Sequence, residues 1–227
     1  MMRAVIVGAS SEPGEESFYG DLLASAEFVV AADAAAEWCV AVGRAPDLAV
    51  GDFDSAAPGA PERLRASGIE VVEYRADKDD SDLDLAVTAA RARGCDSITL
   101  TACMGGRLDH TLASLGTLVR AGGGATADLQ EPSFAAWTVG GSSSHTIELA
   151  THPGSLFSVF ALGAATGVAV RGGMFLLNAA SLPTLSSLGL SNVAVSPRVS
   201  VSVADGVLVV LIQVAVGERR PARICAQ

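Results

Sequence analysis

Pro46-Asp47-Leu48-Ala49-Val50-Gly51-Asp52-Phe53-Asp54-Ser55 is a short apolar run that passes without a break into Gly-Asp-x-Asp-Ser. Leu48–Val50 has the length and side-chain type of a buried strand, and the Gly-Asp step closes it. Comparable runs flank it: Ala4–Val7 and Phe28–Ala32, ended by Gly8 and Asp33, and Ile69–Tyr74 and Ser97–Thr101, all rich in apolar or β-branched residues. Helix signals lie between them. Pro61–Ser67 opens on a proline and stops at Gly68, and Asp82–Arg93 stops at Gly94. Proline inside the start and glycine past the end is the helix asymmetry. Strands alternating with helices imply a largely parallel sheet covered by helices, with its ligand beyond the carboxyl ends of the strands.

Beyond Gly122-Gly123-Gly124 the pattern changes. Ala135–Val139, Thr146–Leu149, Leu156–Ala161, Val168–Val170, Met174–Leu177, Val199–Val203 and Val207–Val214 are β-type runs separated by Gly, Ser, Pro and Asn, with no helix signal between them. That is the signature of an antiparallel sandwich. The fold expected is therefore an α/β N-terminal domain with a mainly parallel sheet over 1–128, followed by an all-β sandwich C-terminal domain over 129–227. The tail Glu218–Gln227 reads as a loosely attached terminus.

Composition narrows the function classes. The chain has 227 residues, half of them hydrophobic, and a formal net charge of −10. Mean hydropathy is +0.41, but Gly, Pro, Ser or a charge interrupts every long apolar stretch, so no membrane span is expected. Met1–Gly8 reads as a first strand, not a leader, which places the protein in the cytosol. Residues 1–128 carry 21 of the 25 acidic residues. Such a surface argues against nucleic acid, which needs clustered Lys and Arg. It suits a polyphosphate ligand once divalent metal neutralises the carboxylates. Four cysteines without a Cys-x-x-Cys pair, and three histidines, make a zinc site improbable.

Three segments can carry chemistry. If the extended geometry of Leu48–Val50 persists, Asp52 and Asp54 point to one side, because side chains alternate with period two. Two converging carboxylates suit Mg²⁺, which takes one or two carboxylates plus substrate phosphates; an ordinary solvated turn is the alternative. Asp77-Lys78-Asp79-Asp80-Ser81-Asp82-Leu83-Asp84 is the second. Ser81 is a good N-cap and Asp84 stands three residues on, a near capping box. Capping does not account for five aspartates in eight positions, which repel unless a cation holds them together. The third is Gly105-Gly106-Arg107-Leu108-Asp109-His110. Paired glycines and a helix N-terminus suit an anion, and Arg107 adds a planar fork for phosphate. A glycine turn with Arg107 paired to Asp109 is equally consistent. Asp33, at the end of Phe28–Ala32, is on its own only a loop acid or a helix cap.

Taken in order, these segments resemble the thiamine pyrophosphokinase family, whose pattern runs Ala-Asp-Gly-Gly/Ala, Pro-Asp-x-x-x-Gly-Asp-Phe-Asp-Ser, Lys-Asp-x-Thr-Asp-x-Glu-x-Ala and Gly-Gly-Arg-x-Asp-His. The second block is intact from Pro46 to Ser55 and the fourth from Gly105 to His110. Gly189-Leu190-Ser191-Asn192 is similar to the family's late Gly-x-Ser-Asn. The chain departs at Ala34 and Ala35 for glycine, Ser81 for Thr, Asp84 for Glu and Ser114 for Asn. The resemblance implies a homodimeric enzyme that moves a diphosphate from ATP to the hydroxyl of thiamine, releasing AMP. It implies that Asp52, Asp54 and Asp82 hold Mg²⁺, with Asp109 also catalytic. Asp33, Ser55, Lys78, Ser81, Gly105, Gly106 and Arg107 would line the nucleotide, and Ser191 and Asn192 would touch thiamine at the subunit interface. A pyrophosphokinase acting on another alcohol such as a pterin, or a non-catalytic nucleotide-binding homologue, shares these motifs.

Overall fold

The computed structural model describes residues 2–12, 14–75, 77, 79–123, 126–215 and 218–224. The chain divides into two compact units, one over 1–121 with 125–127, the other over 122–124 with 128–227.

In the first unit, β1 (Met2–Ser10), β2 (Phe28–Ala32), β3 (Leu48–Gly51), β4 (Glu70–Glu73) and β5 (Cys95–Cys103) form a parallel array in the order β5-β1-β2-β3-β4. Helices α1 (Glu16–Ala24), α2 (Ala35–Ala41) and α3 (Ala60–Ala66) join the first four strands, which step steadily away from β1. The connection through α4 (Asp82–Ala92) reverses direction, carrying the chain back past β1 to β5. Right-handed crossovers then require α4 to lie on the opposite face from α1–α3. The packing agrees. Val5, Val7, Val29, Ala31 and Ala49 pack with Tyr19 and Leu23 of α1, Cys39 of α2 and Leu64 of α3, while α4 lies across β1, β2, β3 and β5. Both faces are covered, so β2 and β3 read as continuous apolar runs rather than alternating ones. Helix α5 (Leu108–Gly122) follows β5.

The strand order switches between β1 and β5, and the two strands crowd there. A Cβ on Gly8 would fall 2.7 Å from Ala102 O and 2.8 Å from Cys103 Cβ. Only glycine permits that approach.

The second unit is antiparallel throughout. β6 (Thr126–Glu131), β7 (Phe134–Gly140), β14 (Val207–Gln213), β9 (Leu156–Ala161) and β12 (Asn192–Val193) are neighbours in that order. A second sheet runs β11 (Leu177–Leu182), β10 (Ala165–Arg171), β13 (Arg198–Ser202), β8 (Thr146–Ala150), β15 (Ala222–Arg223). Trp137, Phe157, Val159, Leu208 and Val210 of the first layer interlock with Ile147, Leu149, Val168, Val199 and Val201 of the second. This is an α/β region followed by an antiparallel β region.

Two expectations are corrected. The run Met174–Leu177 is not a strand: Met174, Phe175 and Leu176 are exposed and β11 begins at Leu177. The small, polar Asn-Ala-Ala-Ser of β11 carries no strand pattern of its own. Nor is the described tail loose. The guanidinium of Arg220 donates to Gln130 Oε1 at 3.0 Å and to the carbonyls of Glu131, Pro132 and Phe134 at 2.6, 3.2 and 3.0 Å. Ile224 N–H donates to Glu148 O at 2.8 Å, and β15 adds a strand beside β8.

Candidate active site

Gly8, Ala9 and Ser10 at the end of β1, Cys103 at the end of β5 and Asp33 beyond β2 line a cleft of about 330 Å³. It opens at the carboxyl ends of the parallel strands, beside the switch point, where open α/β sheets bind ligands. Ser55, Asp80, Ser81 and Asp82 supply its acidic side and His110 and Ser114 of α5 another wall.

Three carboxylates converge there. Asp33, Asp52 and Asp82 each place an oxygen within 4.8 Å of the other two. They come from three separate strand ends: Asp33 after β2, Asp52 after β3, and Asp82 from the first turn of the helix that follows β4. Asp33 is only 7% exposed and its Oδ1 is buried with no hydrogen-bond partner. Burial pushes its carboxyl above the usual value; the Ser55 hydroxyl and the Ala34 N–H counter this, and the charges of Asp82 and Asp54 add to the rise. A buried carboxylate oxygen without a donor, facing two further carboxylates, is costly unless a cation balances it. The donor set is all oxygen, so it fits a hard divalent cation such as Mg²⁺.

This trio differs from the expected one: Asp33 stands where Asp54 was expected. The strand ends at Gly51, and Phe53 takes a left-handed φ of 58° while burying its ring in the core beneath α2 and α3. That turn breaks the period-two alternation on which pairing Asp52 with Asp54 depended. Asp54 is exposed; its N–H donates to Asp52 Oδ1 at 3.2 Å, and Ser55 Oγ donates to its Oδ1 at 3.0 Å. Asp47, at the head of the same motif, accepts Val29 N–H at 2.8 Å and pairs with Arg44 at 2.7 Å. It ties β3 to β2 and takes no part in the cleft.

Helix α4 starts as its sequence predicts. Ser81 Oγ accepts the N–H of Asp84 at 3.2 Å and donates to Asp84 Oδ2 at 2.7 Å. Asp84 has a second set of partners on α5. Its Oδ1 accepts from Thr117 Oγ1 at 2.7 Å and from Arg120, whose Nε lies at 3.1 Å and whose Nη2 also reaches it. Burial alone would raise this carboxyl, but the hydrogen bonds from Arg120, Thr117 and Ser81 outweigh it and hold it below its ordinary value. Thr117 and Arg120 were not singled out in the sequence. With Ser114 they fall at three-residue spacing along α5, which does not by itself mark them.

In the Gly105–His110 segment the turn reading describes the geometry. Gly105 and Gly106 have φ of 100° and 65°, which glycine supplies without strain. Arg107 Nη2 meets Asp109 Oδ2 at 2.6 Å with both side chains open to solvent, 70% and 64% exposed. The hydrogen bond from Arg107 lowers the Asp109 carboxyl to about 2. Ser114 Oγ donates to Cys103 O at 2.8 Å and His110 O at 2.9 Å, fastening α5 to the end of β5. Ala34 takes φ −58° and ψ −17°, an ordinary right-handed conformation, so the chain needs no glycine there. Lys78 lies outside the described residues.

Ser191 and Asn192 belong to the second unit. Ser191 lines a groove of about 650 Å³ with Leu156, Ser158, Phe160 and Glu218, and its N–H donates to Ser158 Oγ at 3.1 Å. The buried Asn192 amide is engaged by backbone: its Oδ1 accepts from Phe175 and Val193 N–H at 3.0 and 2.9 Å, and its Nδ2 donates to Phe175 O at 2.6 Å. It acts here as a clamp on the 173–175 segment.

The first unit is thus an open parallel α/β domain with an acidic cleft at its strand ends. Residues 19–127 match the family model for the thiamin pyrophosphokinase catalytic domain. It is 36% identical over 78 residues to the thiamine pyrophosphokinase of Bacillus subtilis (strain 168), a stretch covering 34% of this chain and 36% of that protein. The match therefore spans about a third of that relative's length. The fold is similar to the crystal structure of the Bacillus subtilis protein, with a TM-score of 0.77 and 20% identity over 94% of this chain and 100% of that one. It is also similar to thiamin pyrophosphokinase from Candida albicans, with a TM-score of 0.77 and 14% identity over 94% of this chain and 89% of that one. No helix among the described residues is long and apolar enough to cross a membrane.

Proposed function

We propose that this chain is a thiamine pyrophosphokinase, transferring diphosphate from ATP to the hydroxyl of thiamine to give thiamine diphosphate and AMP. The observation that carries the reading is the convergence of Asp33, Asp52 and Asp82 at the cleft, with Asp33 Oδ1 buried and lacking a donor. The match of residues 19–127 to the thiamin pyrophosphokinase catalytic-domain model supports the reaction class.

Asp33, Asp52 and Asp82 would hold Mg²⁺. When bound, it neutralises phosphate oxygens and polarises the transferring group. The chain's own residues do the rest. The end of β1 at Gly8–Ser10 and the start of α4 at Ser81 present backbone and hydroxyl groups to the phosphates. Arg107 exchanges its exposed Asp109 partner for a phosphate oxygen, an exchange that costs little because an exposed ion pair is worth little. Asp109, released, would then take the proton that the thiamine hydroxyl loses as its oxygen bonds to the β-phosphorus and AMP departs. Phosphoryl transfer of this kind rests on positioning and charge neutralisation more than on covalent work by the protein. The acidic cleft favours the cationic thiazolium of the acceptor. The enzyme works as a homodimer, with Ser191 near the acceptor at the subunit interface.

The deciding assay incubates the chain with ATP, Mg²⁺ and a panel of alcohols including thiamine and a hydroxymethyl pterin. Formation of thiamine diphosphate with AMP supports the proposal. Turnover of another alcohol in its place, or of none, rejects it. Sedimentation showing an active monomer removes the dimeric acceptor site.

A further inference from the structure

Asp82 and Asp84 are two residues apart on one helix, so about 200° of rotation separates them and they leave α4 on nearly opposite sides. Asp82 joins the acidic trio on one side. On the other, both oxygens of Asp84 are engaged: Oδ2 by the Ser81 N-cap, Oδ1 by Thr117 and Arg120 of α5. A second tie repeats the contact two turns further along. Arg91, seven residues after Asp84 and so on the same face, donates to the carbonyls of Arg120 and Ala121 at 3.2 and 2.6 Å. Two points of attachment on one face fix the rotation of α4 about its own axis. That rotation decides where Asp82 points.

We propose that Asp84, Thr117 and Arg120 form a positioning bridge that sets Asp82 in its place among the three carboxylates. This rests on the reading of the trio as a divalent-cation site. Thr117 also lines the wall of the cleft, but none of the three belongs to the acidic trio, and each acts on it through Asp82. A helix N-terminus held by its cap alone can rock by a fraction of an ångström, and a Mg²⁺ site tolerates little of that because its geometry is narrow. Groups that orient metal ligands typically govern affinity by tenfold or more when removed. The bridge also suits the shorter Asp84 side chain: it stays close enough to α4 to meet Ser81 while Arg120 spans the gap from α5.

The test uses the full chain and Mn²⁺ as probe, with free Mn²⁺ followed by electron paramagnetic resonance in the absence of nucleotide. Arg120→Gln and Thr117→Val should each weaken Mn²⁺ binding by about tenfold, and raise the Mg²⁺ needed for half-maximal turnover by the same factor, with turnover recovering at saturating Mg²⁺. Arg120→Lys, which keeps the charge, should fall between these variants and the unaltered chain. Thr117→Val is nearly isosteric, so folding is preserved in at least one variant. A lower melting temperature with unaltered Mn²⁺ affinity would show a structural tie only and overturn the bridge. If the unaltered chain itself binds no Mn²⁺, the cation site falls and the bridge with it; if it binds and the variants match it, the bridge alone falls.

Discussion

Gly51 stands directly against Asp33: a methyl group placed on Gly51 would lie 3.1 Å from Asp33 Cα and 3.2 Å from its Cβ and its N. The contact sits where β2 and β3 end side by side, and the N–H of Asp33 donates to Val50 O at 2.8 Å. Asp33 meanwhile holds a left-handed φ of 51°, a conformation uncommon outside glycine. The glycine of Gly-Asp-x-Asp-Ser thus makes room for an aspartate eighteen residues earlier in the chain.

Replacing that glycine should therefore disturb the trio more than the fold. Gly51→Ala pushes on backbone that cannot move far, at a cost of about 1–3 kcal/mol, and displaces Asp33 from Asp52 and Asp82. The expected result is a modestly lower melting temperature with a much larger loss of Mn²⁺ affinity. Equal, small losses in both would show that Asp33 does not depend on Gly51.

The raised carboxyl of Asp33 gives the metal-free protein a definite pH response. From the ordinary value of 3.8 up to the raised one, the folded state binds more protons than the unfolded state. Its contribution to stability is then fully present below 3.8 and declines as pH rises through the folded value. Melting curves of metal-free protein should show that decline, and Asp33→Asn should flatten it. Added Mg²⁺ favours the carboxylate, so its stabilising effect should grow with pH and be lost in Asp33→Asn. A Mg²⁺-induced rise in melting temperature that survives Asp33→Asn would remove Asp33 from the ligand set.

The strands β1, β2 and β3 were legible because each is a compact apolar run ended by Gly or Asp, and α3 and α4 because Gly68 and Gly94 mark their ends. Helices α1 and α2 were not, being short and without a side-chain cap at the N-terminus. The acidic trio was half legible. Asp52 could be named from the acids that follow a strand and Asp82 from the family resemblance, but choosing Asp54 over Asp33 required a straight chain through Phe53. One residue's positive φ undid that, and no local pattern announces it, since the cause is Phe53 burying its ring. Arg120 and Thr117 were invisible for a different reason: their partner, Asp84, is more than thirty positions away and already had a sufficient role as a helix cap.

Trp38 offers an optical readout of the cleft. It lines a recess of about 230 Å³ with Ala34 and Ala35, and that recess shares Gly8 and Ala9 with the acidic cleft. The other tryptophan, Trp137, is 2% exposed in the core of the second unit. Nucleotide entering the cleft with Mg²⁺ should change the emission of Trp38, and Trp38→Phe should abolish the change while leaving the Trp137 signal. An undiminished change in Trp38→Phe would place the nucleotide elsewhere.

Arg220 should matter to the second unit in a way its position near the end of the chain conceals. Its guanidinium makes four hydrogen bonds to the β6–β7 hairpin, three of them to backbone carbonyls. Burial lowers its pKa, with Asp128 and Glu131 opposing, but an arginine starts so high that it remains charged. Hydrogen bonds from a charged donor to half-buried carbonyls are worth more than neutral ones, so Arg220→Ala should cost the second unit about 2 kcal/mol. Trp137 lies on β7 opposite Asp128, so its fluorescence during denaturant unfolding reports on that hairpin. The midpoint followed by Trp137 should fall in Arg220→Ala, while Mn²⁺ affinity at the acidic trio stays unchanged. An unchanged Trp137 midpoint would mean that the tail rests on the sheet without holding it.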